Sequence, residues 1–276
     1  MIALSKANEP RKEITYDTFQ KNRLSLWWFM VEKDNLKQLI NLNFIDLTNQ
    51  TYSCGKYDLP YVRCPKNIEI DYLALYSEVN NYHKTENTCV CFYQFDIKYD
   101  NINGLFEAIY YDNKKLLAKY KERFKGVKYA ISPDYSQVGD INRIENIYRL
   151  FKARIVSIWL LIECDVLVIP NITYANDNYF DVMLDGMEDT EVVAFSIKGS
   201  MKNKIDRKLL SNAIKITVDT LKKLGLIIVY SVSKNDEIVH NLFEYASLKG
   251  IKVIIPNNIL KERNIIKKEV EQNGKN

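Results

Sequence analysis

From residue 88 onward, short continuously apolar segments alternate with amphipathic stretches of helical period, and this rhythm restricts the choice of fold more than any other feature of the chain. Cys89–Phe95 (CVCFYQF), Tyr129–Ser132, Val166–Ile169, Val192–Ile197, Leu226–Tyr230 and Val253–Ile255 read as strands. Between them, Leu105–Phe124 reads as a helix with Lys119, Lys121 and Arg123 at its C-terminal end, where cations suit the helix dipole. Asn142–Ile162 carries an apolar stripe through Ile144, Ile147, Tyr148, Phe151, Ile155 and Ile158 at helical spacing. Asp206–Leu224 is a further helix, with Gly225 at the C′ position; Asn235 caps the next, which stops at Gly250.

Strands that are apolar at every position, rather than at alternate ones, are buried on both faces, and helical crossovers between them imply parallel pairing. The expected class is therefore α/β, a mostly parallel sheet with alternating helices, either barrel-like or open and doubly wound. A barrel-like arrangement is favoured, because a closed sheet gathers all strand ends around one mouth. The chain divides into an N-terminal extension packed on the core (1–87), the α/β core domain (88–258) and a polar helical tail (259–276). Within the extension, residues 1–22 read as a loose polar arm, Leu24–Val31 as a buried strand and Asn35–Ile40 as helical. Residues 49–66 are broken by Cys54, Gly55, Pro60, Cys64 and Pro65. Ile68–Asn81 reads as a helix, on the spacing of Leu73, Tyr76 and Val79.

Composition excludes more than it identifies. The 276 residues are 47% hydrophobic and 27% charged, ordinary for a chain with a sizeable core. Glycine is scarce, at 9 residues, and neither G-x-G-x-x-G nor G-x-x-x-x-G-K-[ST] occurs, so the two commonest nucleotide loops are missing. A net charge of +4 with a pI near 8.6 permits nucleic-acid binding without arguing for it. No stretch reads as a signal peptide or membrane span. The odd count of five cysteines then points to reduced thiols in the cytoplasm.

In parallel α/β folds ligands bind at the C-terminal ends of the strands. Here every strand exit is polar: Asp96; Ser132 through Asp134 to Ser136; Asn171; Ser196 with Lys198 and Ser200; Tyr230 with Ser231; and Asn257 with Asn258. Loops are polar in any case, but carboxylates on adjacent exits, Asp96 and Asp134, single this end out. They could hold a divalent metal such as Mg²⁺, which takes one or two carboxylates beside substrate oxygens. Equally, they could divide acid and base roles. Asp185 is a third candidate, although an Asp-Gly turn explains it as well. Lys198, Gly199 and Ser200, ahead of a helix, could cradle an anion, but a solvated basic loop accounts for them more simply. Arg154, beside the apolar stripe of its helix, either snorkels outward or reaches a carboxylate such as Asp134.

Cys54, Cys64, Cys89 and Cys91 lack the C-x2-C spacing of common zinc sites and read as packing thiols. Only two histidines occur, and neither His83 nor His240 completes a Ser-His-Asp, Cys-His or H-E-x-x-H arrangement. Any chemistry must therefore fall to carboxylates or a bound metal.

The segments VCFYQFD, KYAISPDYS, FKARIVSIWL, DVLVIPNITY, DGMEDTEVVAFSIKGS and IIVYS together resemble a family of bacterial, phage and mobile-element proteins. That family is known as domain of unknown function forty-four seventeen. The resemblance runs over residues 89–232 or so, with matching positions at Asp96, Pro133, Asp134, Ser136, Arg154, Pro170, Ser196, Gly199 and Tyr230. The chain departs from the family pattern at Tyr174, where an aromatic, often Trp, is usual, and at Ser231, where glycine is usual. The resemblance implies no activity; it implies a phage, plasmid or integrated-element origin. The expected function is binding of a host protein, a nucleotide or nucleic acid at the strand exits, through Ser136, Arg154, Asn171, Ser196, Lys198, Ser200 and Tyr230. The alternative is an enzyme using Asp96 and Asp134, with or without metal, on a phosphorylated or nucleic-acid substrate.

Overall fold

The computed structural model describes residues 42–201 and 203–273. The arm, the strand at Leu24–Val31 and the helix at Asn35–Ile40 lie outside the described residues, as does Lys202. After a helix at Leu42–Thr48, a small antiparallel hairpin of β1 (Ser53–Cys54) and β2 (Leu59–Pro60) precedes the parallel strands.

The parallel strands are β3 (Tyr72–Leu75), β4 (Thr88–Cys91), β5 (Tyr129–Ile131), β6 (Leu167–Ile169), β7 (Val192–Ser196), β8 (Leu226–Tyr230) and β9 (Lys252–Ile254). They form one four-stranded sheet, in the order β3-β4-β5-β6, and one three-stranded sheet, β7-β8-β9. Parallel bridges join the two at both ends, Asn171 to Ala194 and Tyr72 to Asn257. At the first bridge Ile172 N–H donates to the Ala194 carbonyl and Ala194 N–H to that of Pro170, at 2.9 and 2.8 Å. At the second, Leu73 N–H donates to the Asn257 carbonyl and Asn257 N–H to that of Asp71, at 2.8 and 3.1 Å. The strands thus follow one another in chain order around a closed ring, the barrel-like alternative.

Closure explains why the strands lack an alternating pattern. Successive side chains of a strand point to opposite faces. One set fills the ring: Leu73 and Leu75 of β3, Cys89 and Cys91 of β4, Ile131, Ile169, Ala194 and Ile228 belong to a single buried cluster. The intervening residues face outward. Ala74, Val90, Ala130 and Val168 pack under Ile155 and Trp159 of the helix Arg143–Glu163. Val193, Phe195, Ile227 and Val229 pack under Leu210 and Ile214 of the helix Lys204–Thr220. Both faces are apolar because both are covered.

The Cys89 and Cys91 thiols are wholly buried and held well above their usual titration range by loss of solvent, as packing residues should be.

Several elements differ from the sequence reading. Tyr72–Leu75 is a barrel strand, not part of a helix, and only Val79–Asn81 turns as a short 3-10 helix. A run of four buried apolar residues satisfies helical and strand templates alike, and the chance spacing of Leu73, Tyr76 and Val79 tipped the reading wrongly. The helix expected over Leu105–Phe124 is two, Leu105–Tyr110 and Lys114–Arg123. The break falls at Asp112, with φ of 50°, and the Asn113 side chain caps the second helix through the Leu116 N–H. Gly225 has no positive φ and does not serve as a C′ glycine, since its helix ends earlier, at Thr220; Asn235 caps its helix, but the single helix expected up to Gly250 is two, Asp236–Leu242 and Glu244–Leu248, and Gly250, with φ of 80°, follows the second. Among the described residues no helix is long and apolar enough to cross a membrane.

Leu73 is fully buried inside the ring. Leu73→Ala should cost about 2–5 kcal/mol in urea denaturation, whereas truncating Ile216, on an exposed helix face, should stay within about 0.5 kcal/mol. Equal small losses at both positions would contradict a closed, packed interior.

Candidate site at the barrel mouth

All seven strands point the same way, so their C-terminal exits share one rim. The centre of interest is Asp134, three residues beyond β5. Its Oδ1 accepts from Asn171 Nδ2 at 2.7 Å and from the Thr173 hydroxyl at 3.2 Å. Among the described residues no hydrogen bond falls on Oδ2. Asn171 sits at the β6 exit, on the bridge that closes the ring, so its backbone is fixed. Its side chain is fixed as well. Tyr93, inside the barrel above β4, donates its hydroxyl to Asn171 Oδ1 at 2.8 Å, which forces the amide NH₂ toward Asp134. Burial is the largest influence on Asp134 and pushes its carboxyl up to about 6, against the opposing effect of the Asn171 and Thr173 bonds; the nearby Asp96 adds to the rise.

Asp96 follows β4 and has a different task. Its Oδ1 accepts from the Ser136 hydroxyl at 2.8 Å and from Tyr99 at 3.3 Å; its Oδ2 faces the Ser136 N–H at 3.2 Å and Arg149 Nη1 at 3.3 Å. Arg149 also donates to the Ser136 carbonyl, at 3.1 Å. Tyr99 is buried and lies 2.6 Å from the Asp134 carbonyl oxygen through its hydroxyl. Asp96 therefore staples the β5 loop to the β4 loop and holds the Asp134 backbone in place.

On the far rim, Lys198 lies beyond β7 and reaches Tyr93 O with Nζ at 3.3 Å, bridging from one side of the ring to the other. The Ser196 hydroxyl accepts the Lys198 N–H at 3.3 Å and shapes that turn. Tyr174, beside the Ser200 hydroxyl and within electrostatic reach of Asp134, has its phenol pushed up to about 12, chiefly by burial. The Tyr230 ring packs against Tyr93 at 5.0 Å, and its buried hydroxyl has no partner among the described residues.

The structure thus places Asp134, Asn171, Lys198 and Ser200 at the strand exits, with Asp96 and Ser136 supporting one wall and Tyr230 wholly buried inside the ring. Arg154 is not among them. It projects from the outer helix, and its Nη2 donates to the Asp185 carbonyl at 3.0 Å rather than reaching Asp134. Asp185 is not a mouth residue either. It accepts the Lys56 and Tyr57 N–H groups at 2.6 and 3.0 Å and so holds the hairpin turn. There Gly55 is required: an added Cβ would lie 2.2 Å from Asp185 Oδ2.

Sequence reasoning missed Tyr93, Tyr99 and Arg149, and also Glu78, which accepts the Leu75 N–H at the β3 exit. Tyr93 was within reach, since it shares the inward face of Cys89 and Cys91. Glu78 was lost with the misread strand.

Together these features define a parallel β/α barrel with a half-buried carboxylate, held through one oxygen, at the mouth formed by its strand exits. The chain belongs to the family described as Domain of unknown function (DUF4417), whose model matches residues 51–248, hairpin included. No curated protein and no solved structure matches it.

Because folding raises the Asp134 pKa, its contribution is most favourable below the ordinary carboxylate pKa of about 4 and is lost as pH rises through about 6. Above that, the desolvated charge costs about 3 kcal/mol. Asp134→Asn should therefore stabilise the protein by about that amount at pH 8 and change little at pH 4.5, measured by urea denaturation. A variant equally or less stable than wild type at pH 8 would mean that the carboxylate is not desolvated.

Proposed function

We propose that the mouth is the active site of an enzyme acting by general acid–base catalysis through Asp134 on a phosphorylated substrate or nucleotide. The observation carrying this reading is the Asp134 carboxyl itself. It is half-buried, aimed by Asn171 and Thr173, free of protein donors on Oδ2 among the described residues, and brought by desolvation to about 6. A carboxyl at that value can both accept and return a proton near neutral pH. Nothing in packing calls for a charge there, and structure elsewhere must compensate its cost. Lys198 supplies the cation for an anionic substrate, with the Ser200 hydroxyl and the following helix N-terminus beside it. Ser196 and Ser136 set the loops.

A divalent ion such as Mg²⁺ on Asp96 and Asp134 would compete with Arg149 and Ser136, which already occupy Asp96. Among the described residues no group of three His, Cys, Asp or Glu side chains is placed to hold a metal. We therefore assign the chemistry to Asp134 and the support of its loop to Asp96.

A second reading rests on Phe95, Ile97 and Ile102, on the loop after β4, which are 84, 70 and 84% exposed. Apolar side chains so close together at the rim suit a protein partner. On this reading the protein is a phage or mobile-element factor that docks on a host protein or nucleic acid in the reducing cytoplasm, its five thiols free.

The test is a panel of nucleotides and sugar phosphates, assayed for binding by calorimetry and for turnover with and without Mg²⁺. Turnover should show an inflection near pH 6. Asp134→Asn should lower it by about 10²–10⁴-fold. Lys198→Ala should mainly weaken binding. Full activity in Asp134→Asn would refute the catalytic role, and binding without turnover would favour the second reading.

A further inference from the structure

The loop that follows β4, residues 95–103, turns its negative charge inward and its apolar side chains outward. Asp96 is held by the Ser136 hydroxyl and Arg149, and Asp100 by the Lys152 ammonium. Phe95, Ile97 and Ile102 meanwhile stand 84, 70 and 84% exposed. The backbone between them is braced. Asn101 Nδ2 donates to the Ile97 carbonyl at 3.0 Å, and the Tyr120 hydroxyl donates to the Asn103 carbonyl at 2.5 Å. Carboxylates ordinarily stay in water while large apolar groups are covered, so the inverted arrangement calls for a partner.

Charge says which kind. Lys98 lies in the loop, and Lys115 and Lys119 lie on the helix Lys114–Arg123, which Tyr120 joins to the loop. All three lysines are exposed, and none makes an ion pair or hydrogen bond among the described residues. The carboxylates of the loop and of this helix, Asp96, Asp100 and Glu122, are all paired. The unspent charge beside the apolar side chains is therefore positive, and its complement is anionic. Shape decides among anionic partners. Side chains that are 84% exposed touch little of their own protein and line no groove, so a protein would need a pocket for each. Two of the three are isoleucine, which has no ring face on which the bases of a single strand could stack. A fluid bilayer admits protruding aliphatic and aromatic groups without a matching shape, and its headgroups suit lysines whose stems lie along the interface.

We propose that this rim docks on an anionic phospholipid bilayer, with Phe95, Ile97 and Ile102 entering the boundary of headgroups and acyl chains and Lys98, Lys115 and Lys119 meeting the lipid phosphates. Such docking is peripheral and requires no spanning helix. It goes beyond the acid–base reading of the mouth and does not rest on it, and it places a lipid surface where the second reading places a host protein. Tyr99 of the same loop bonds the Asp134 carbonyl, so docking would bring the mouth to the bilayer.

The probes are large vesicles of phosphatidylcholine, alone or mixed with phosphatidylserine, sedimented with the full-length protein. Wild type should sediment with the mixed vesicles, less with phosphatidylcholine alone, and less again as salt rises. Combining Phe95→Ser, Ile97→Ser and Ile102→Ser should weaken partitioning at least ~10-fold, with an unchanged circular dichroism spectrum. Lys98→Glu with Lys119→Glu should remove the preference for phosphatidylserine. Leu248→Ser, at an apolar residue 78% exposed just before β9 and so at the other end of the barrel, should change nothing. No sedimentation of wild type with the mixed vesicles, or equal sedimentation of the triple variant, would overturn the proposal. Binding to a single-stranded oligonucleotide with none to vesicles would overturn it in favour of nucleic acid. Should the triple variant fail to fold, Ile102→Ser alone and the lysine pair carry the same test, and no outcome depends on turnover at Asp134.

Discussion

Closure of the strand ring is the constraint on which the rest of the molecule depends. The four-stranded and three-stranded sheets meet through two parallel bridges, each a pair of backbone hydrogen bonds. Without them β6 and β3 would be exposed edges, and the β4 and β7 exits would not face each other across a mouth. Closure also accounts for the interior. A ring so narrow must be filled by its own inward side chains, and Cys89, Cys91, Ala194 and Leu73 do this with small and medium volumes. One of the closing bridges runs through Asn171, which also positions Asp134. Fold closure and site geometry are therefore the same interaction seen twice.

The mouth is organised in shells of decreasing freedom. Arg149 and Tyr99 hold the β4 and β5 loops through Asp96 and the Asp134 carbonyl. Tyr93 sets the Asn171 amide, and Asn171 in turn sets one oxygen of Asp134. Each step removes a rotamer choice from the next, as a preorganised site requires. Burial then raises the carboxyl to about 6, although two donors favour its charged form. Desolvation wins because two neutral hydrogen bonds replace only part of the water the carboxylate has lost.

How far the sequence could be read depended on the range of the interactions involved. The β4 to β9 rhythm was legible because two-sided burial leaves a continuous apolar run, a local signal. β3 was not, since YLALY is too short to separate strand from helix without its neighbours. The strand exits read as polar, and parallel pairing sets them on one rim, where Asp134, Asn171 and Lys198 fall. Which carboxylate was supportive and which was available could not be read, because the deciding bonds join residues far apart in sequence. Asp96 meets Ser136 and Arg149, and Asp185 meets Lys56 and Tyr57, more than a hundred positions away. Arg154 misled for the same reason. Its place beside the stripe put it near the barrel, but the hairpin, invisible as such in the sequence, drew it outward to Asp185.

Asp134 and Arg154 are both half-buried charges, held in different ways. Asp134 is aimed by neutral donors on one oxygen and left open on the other, so its proton is the available quantity. Arg154 cannot give up its proton at any ordinary pH, so what it offers is charge and geometry. Both lie against the Asn171 and Thr173 pair, one on the mouth side and one on the helix side. The Asn171 backbone is itself a bridge of the closed ring, so the wall beside Asp134 resists displacement.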